Sequence, residues 1–196
     1  MFDFVVKFIY SLVSKFVGDK ISSRTKVRKA EKKLRGYIEH LLIDIDNVAI
    51  FAFELWDISY KRTYFELDFE EPSKFIIPKD FENERIQGYL NECADSLNET
   101  LRLTVTALLR HIGIYNVLKK EVSALKYDFD EQKSYKLYIE SLYVRRYIIA
   151  LANDWDKVIL LTSENHTHEQ LVSPLGLPVN TDSLRARVFN ELKARK

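Results

Sequence analysis

Apolar residues recur along most of this chain at the spacing of helices that bury one side. Counting about 100° per residue from Leu34, eleven positions fall within about 60° of one direction: Val27, Ala30, Tyr37, Ile38, Leu41, Ile45, Val48, Ala49, Ala52, Leu55 and Trp56. That stripe predicts a single long helix over 26–59. Its first half carries Lys26, Arg28, Lys29, Lys32, Lys33 and Arg35 off the stripe. Its second half adds Leu42, Ile43, Ile50, Phe51, Phe53 and Ile58 on other faces, so neighbours should cover it from several sides. A shorter amphipathic helix is expected over 2–17, with Phe2, Val5, Val6, Ile9, Leu12, Val13 and Phe16 inward and Phe4, Phe8 and Tyr10 widening its apolar surface. Gly18 is a natural stop, and Ser22, Ser23 or Thr25 would cap the helix that follows.

From Tyr64 the period shortens to two: Phe65, Leu67 and Phe69 alternate with Glu66, Asp68 and Glu70. Pro72-Ser73 then offers a turn, which predicts a small β-hairpin or an extended linker over 64–77. A second long helix is expected from Asp80 to about Lys120, with Gly88 and Gly113 as weak points. A short alternation follows at Leu125, Tyr127 and Phe129, and Val158 to Leu161 is too short to classify. The third long helix, over 133–154, is apolar on two faces and should therefore be central. After a polar loop, Thr181 or Asp182 should cap a last helix with a basic exterior. The expected fold is all-α, or mostly α with a minor β-hairpin: an antiparallel bundle of three long helices with shorter N- and C-terminal helices. The expected organisation is an N-terminal amphipathic helix over 1–20, a bundle core over 21–162, and a loop with a C-terminal basic helix over 163–196.

Composition sharpens this picture in two respects. With 46% hydrophobic residues, 12 Phe and 11 Tyr against 5 Gly and 4 Pro, the 196-residue chain is built for a packed helical core. The formal net charge is only +1, but it is unevenly spread. Lys20 to Arg35 holds eight bases and one acid, for +7, whereas Asp44 to Glu71 holds eight acids and two bases, for −6. One end of the molecule should be electropositive. A single cysteine, Cys93, excludes an internal disulfide and points to a reducing, cytoplasmic setting, with a peripheral membrane position as the alternative. No secretory leader and no apolar run of about 20 residues is evident.

Candidate chemistry is sparse. Arg35-Gly36-Tyr37-Ile38-Glu39-His40 sets an arginine and a histidine five positions apart, and this resembles the arginine-x4-histidine pattern of the HEPN ribonucleases. The resemblance implies an all-helical, often dimeric domain in which Arg35 and His40 would cleave RNA by metal-independent attack of the 2′-hydroxyl. In a straight helix the two positions lie about 140° apart. The same residues also read as ordinary surface pairs, Glu31–Arg35–Glu39 and His40–Asp44. His111 falls on the edge of its stripe, as a hydrogen-bonded core or interface histidine would. His166 and His168 sit in a polar loop without the further ligands that zinc needs. Arg145 and Arg146 should either pair with acids from another helix or line an internal groove.

No phosphate loop, Cys-x-x-Cys, nucleophile elbow, cofactor-binding pattern, metal-ligand set or small-molecule site is evident. The expected function is therefore that of a non-enzymatic helical binding or regulatory protein acting through protein–protein contacts or self-association. The alternative is a peripheral binder of anionic membrane surfaces or nucleic acid. Phe4, Phe8, Lys26, Lys29, Lys32 and Lys33 are the candidate binding residues in either case.

Overall fold

The computed structural model describes residues 2–66, 78–124, 130–158, 173–178 and 180–194, with side chains from residue 21 onward apart from 124 and 173. Among them the chain forms six α-helices and no strand: α1 (Phe2–Leu41), α2 (Ile45–Phe65), α3 (Asn83–Cys93), α4 (Glu99–Ala124), α5 (Glu131–Asn153) and α6 (Thr181–Ala194). Short 3-10 turns occupy Ala94–Ser96, Trp155–Lys157 and Ser173–Leu175. The all-α helical bundle matches the expectation from periodicity. Several helix boundaries do not.

The axis of the bundle is α5. It packs most extensively on α4 and α2, and less so on α1. Its buried residues, among them Leu137, Tyr138, Leu142, Val144, Tyr147, Ile148 and Leu151, span about 220° of the helix, and Tyr135, Ile139, Tyr143 and Ala150 pack partly buried on the remainder, in line with its two apolar faces. On the α2 side, the Trp56 ring stacks on Tyr138 at 5.3 Å, while Phe53 meets Tyr138 edge-on at 5.6 Å. Aromatic side chains of this size remove about 150–250 Å² each from water, so this cluster is a large part of the α2–α5 attachment. Its polar atoms are answered: Trp56 Nε1 donates to Glu131 at 2.9 Å, and the Ser59 and Ser134 hydroxyls share a bond of 2.9 Å. Arg145, buried on α5, donates to Asp46 on α2 at 2.6 Å, which resolves one of the two arginines left open by the sequence.

The helix expected over 26–59 is two helices. After Leu41 the chain tightens, with Ile43 N–H donating to the His40 carbonyl at 3.2 Å, and α2 restarts when Val48 N–H reaches the Asp44 carbonyl at 3.2 Å. A helical wheel carries no information about direction. A straight continuation would take Ile45 to Tyr60 past the bundle, whereas the turn lays them along α5, and packing overrides local continuity. Leu42 and Ile43 are left exposed on the bend.

The helix expected over 80–120 is likewise interrupted, though not at its glycines. Gly88 and Gly113 lie inside α3 and α4, and the break falls at Ala94–Asn98. There Ser96 donates to the Cys93 carbonyl at 2.7 Å, and Asn98 Oδ1 accepts from Leu101 N–H at 2.8 Å as the cap of α4. Both are side chains that compete for backbone partners. The opposite happens at Gly18: α1 runs through it, and Thr25 donates back to the Ile21 carbonyl at 2.9 Å instead of capping a new helix.

The last helix is capped one residue earlier than expected. Asn180 and Ser183 exchange side-chain-to-backbone bonds at 2.9 and 3.0 Å, a reciprocal capping box. Tyr64 and Phe65 close α2, and Glu66 leaves it with a left-handed φ of 49°. The rest of the hairpin candidate over 64–77, the alternation over 125–129 and the segment 159–161 lie outside the described residues.

Helix α6 buries Leu184 and Val188 in the core, and ion pairs link it to α2. Lys61 bridges Asp57 at 2.6 Å and Glu191 at 2.9 Å, while Arg187 reaches Glu191 at 3.1 Å and lies over the Phe53 ring. Burial alone would raise the Glu191 carboxyl, but the hydrogen bonds from Lys61 and Arg187 outweigh it and leave the group below the usual carboxylate range.

Two outcomes follow from this packing. Replacing fully buried Ile38 or Leu142 by alanine should cost about 2–5 kcal/mol in urea unfolding. A loss below about 0.5 kcal/mol at both would mean that the core lies elsewhere. Glu191→Gln should cost at most about 1 kcal/mol near neutral pH, because Glu191 is partly solvated and its pairing is screened. A carboxyl lowered in the folded state stabilises above its unfolded pKa and loses that contribution as the pH falls through the folded one. The gap between wild type and variant should therefore narrow in melts taken progressively below about pH 4.5.

Candidate interaction surface on the first helix

The bundle holds α1 by its C-terminal part only. Val27, Ala30, Leu34, Ile38 and Leu41 face α3 and α5, and Ala30, Leu34 and Ile38 are almost wholly covered. Towards the N-terminus that cover ends abruptly. Ile21 through Lys26 are all exposed, Ile21 at 60%. The helix nevertheless continues to Phe2, so its 40 residues make a rod about 60 Å long, of which the part from Val27 onward packs on the bundle.

The cations expected to form a basic surface are on this rod. Arg24, Lys26, Arg28, Lys29, Lys32 and Lys33 are exposed along it. Among the described residues no ion pair is made to Lys26, Lys29 or Lys32, and Lys33 Nζ lies 5.7 Å from the Tyr89 ring centre. Phe4 and Phe8 fall on the helical backbone of α1, but their side chains lie outside the described residues. Continuity through Gly18 puts the apolar 2–17 segment and the Lys20–Arg35 cations on one helix, with no joint between them.

Arg35 and His40 occupy the same unbroken helix, about 140° apart in its register. Arg35 Nε is engaged by Glu39 at 2.9 Å, one of the two expected surface pairs. Glu31 faces Trp155 instead, accepting from its indole nitrogen at 3.4 Å, and His40 and Asp44 flank the α1–α2 turn. His40 instead lines a groove of about 780 Å³ between the end of α1, the start of α2 and residues 78–85. Leu41, Val48, Phe51 and Phe81 contribute to its apolar part, and its charged lining is mainly acidic, with Asp44, Glu54, Asp80 and Glu82 against Lys79 and Arg85. Burial, and then the neighbouring Asp57, raise the Glu54 carboxyl. Periodicity could not find this groove, because the bend at 42–44 creates it.

Two other groups that could do chemistry are committed to structure. His111 Nδ1 contacts Glu140 at 2.7 Å, and the ring stacks against Tyr143 and Tyr147. Arg110 lies 3.4 Å from Nε2, on the other side of the ring from Glu140. Both ring nitrogens therefore have a polar neighbour within the bundle. Cys93 is buried, and burial, with Glu31 and Glu92 adding to it, pushes its thiol up to about 11, away from the nucleophilic thiolate. His166 and His168 lie outside the described residues. Among the described residues no three His, Cys, Asp or Glu side chains gather as a metal site would need, and no helix is long and apolar enough to cross a membrane.

No protein-family model, curated protein or solved structure matches this chain.

Because Lys26, Lys29, Lys32 and Lys33 are exposed and little paired, changing all four to glutamine should alter unfolding free energy by less than about 1 kcal/mol. A larger loss in urea titration would show that the cations serve the bundle, and would remove them as a free surface.

Proposed function

We propose that this is a non-enzymatic helical binding protein that acts through protein–protein contacts, with the N-terminal part of α1 as its contact surface. The observation that carries this reading is the overhang: α1 leaves the cover of the bundle by Lys26 and still continues as helix to Phe2. A helix this far beyond its own core gains little from tertiary packing, and tertiary packing is what usually stabilises helices in proteins. Its apolar positions, Phe4 and Phe8 among them, would find their cover on a partner. The commitment of His111 and Cys93 to structural contacts, and of Arg35 to Glu39, also favours binding over catalysis.

A second reading is favoured by the exposed cations. Lys26, Lys29, Lys32 and Lys33 could gather an anionic lipid surface or a nucleic acid, and either association would weaken steeply with salt. Contact through apolar groups would respond to salt only modestly.

The test is removal of residues 2–20. The truncated protein should unfold within about 0.5 kcal/mol of the full chain, since the covered part of α1 begins at Val27. It should also lose the apolar surface, read by binding of a hydrophobic dye or by self-association in light scattering. If stability falls steeply while dye binding and mass stay unchanged, the segment is scaffold and the proposal fails.

A further inference from the structure

We infer that the outer face of α4 pairs antiparallel with the same face of a second copy of this chain. The pairing is independent of the surface on α1.

Helix α4 packs on α5 and α3 and leaves its far side uncovered. On that side Leu103, Ala107, Arg110, Ile114, Val117 and Glu121 follow one another by alternating steps of four and three residues. At about 100° per residue all six lie within about 40° of Leu103. That is the narrow stripe of a seam between two helices, unlike the broad one that faces a core. Val117 is 56% exposed, Leu103 44% and Ile114 39%, so three aliphatic side chains stand in water along one line. Single exposed aliphatics are ordinary on a protein surface, but an aligned set marks a contact.

The order of groups along the seam names the occupant. Arg110 and Glu121 stand at equal distances on either side of the point midway between Ile114 and Val117. Reversing a second α4 about that point sets Ile114 against Val117 of the second copy and Val117 against its Ile114. The same operation sets Arg110 against Glu121 of the second copy and Glu121 against its Arg110. A two-fold interface requires this recurrence of each contact with the copies exchanged. The aliphatic layers then lie in the middle, and opposite charges close both ends.

Both charged groups are accessible for this. Arg110 is exposed and meets no carboxylate among the described residues, its guanidinium lying 3.4 Å from His111 Nε2. Glu121 holds Lys133 at 3.1 Å through Oε2, yet its side chain is 45% exposed, and a carboxylate accepts from more than one donor.

Other arrangements answer the seam less well. A parallel pair would set Arg110 on Arg110 and Glu121 on Glu121, like charges directly opposed. An anionic lipid surface would gain from Arg110 and be repelled by Glu121 on the same line.

Light scattering on the full chain at up to about 100 µM tests the pairing, together with pulsed electron resonance on a nitroxide at Arg102→Cys in a Cys93→Ser background. The expected mass is twice 23.1 kDa. At the helical rise, antiparallel copies hold the two labels about 40 Å apart, and parallel copies about 10 Å. Arg110→Glu, Glu121→Arg and Val117→Lys should each return the mass to a single chain. Arg110→Glu combined with Glu121→Arg should restore the dimer, because the charges are then reversed and still complementary. All these positions are exposed, so circular dichroism melts of the variants should stay close to wild type. Removal of 2–20 should leave the dimer in place. A monomeric wild type, a dimer that survives any of the three single changes, a combined variant that stays monomeric, or labels near 10 Å would each overturn the pairing. So would a dimer lost on removal of 2–20, which would assign self-association to α1 instead.

Discussion

A helix that is apolar on nearly every side cannot be left at a surface, and the rest of this bundle is arranged to cover α5. Helix α4 takes one flank and α2 another, and the C-terminal part of α1 lies over a third. The Trp56–Tyr138 stack shows how the requirement propagates. To lay an indole on a tyrosine of α5, α2 must run alongside it, which forces the chain to turn between Leu41 and Ile45. Tyr138 extends the chain of dependence further, since its hydroxyl donates to the Pro178 carbonyl at 2.9 Å and ties down the segment leading into α6.

The polar groups inside this arrangement fix which neighbour goes where. Arg145 meets Asp46 on α2, and His111 on α4 meets Glu140 on α5. Lys119 donates to the Pro78 carbonyl at 2.6 Å, which anchors the chain as it enters α3. Apolar burial supplies most of the driving force but tolerates sliding. Truncating one member of a partly buried pair would leave the other desolvated and unanswered, so these links penalise the wrong register more than they reward the right one. Asp46 is largely solvated, so its link to Arg145 counts less for stability than its short length suggests.

Most of the core was legible in the sequence because burial follows the helical period. Leu34, Ile38, Leu97, Leu108 and Leu142, all on the inward faces of their stripes, are buried. The helix ends were not legible in the same way. Gly18, the strongest apparent stop, sits within α1 because a single glycine costs a helix only about 1 kcal/mol. The turn at Leu42–Asp44 contains neither glycine nor proline, and it exists because α5 needs covering. The cap at Asn98 did have a local signal, an asparagine ahead of Glu99, but the Leu90, Cys93, Leu97, Leu101 periodicity ran across it and masked the break. The groove beside His40 is a consequence of the first bend, so no local pattern could have announced it. The exposure of Lys26, Lys29, Lys32 and Lys33, by contrast, follows from their positions off the stripe and needs no tertiary knowledge.

What remains unusual is the length of α1. A surface helix ordinarily stops where its core stops, because beyond that point each further residue is ordered at an entropic cost with no burial to offset it. Here the residues at the margin, Ser22 to Lys26, are polar and exposed, as for a chain leaving its core. The sequence before them turns apolar again instead of tapering into solvent. A stripe that breaks off for one polar interval and resumes in phase is hard to reconcile with a tail whose only requirement is solubility. On the reading proposed above, such a helix serves its own bundle from Val27 onward and a partner before Lys20. The cations between them then have a physical role whatever lies at the far end. Lysines and arginines exposed from Ser22 to Lys33 favour hydration of that interval over burial, which would hold the two apolar segments apart as separate surfaces.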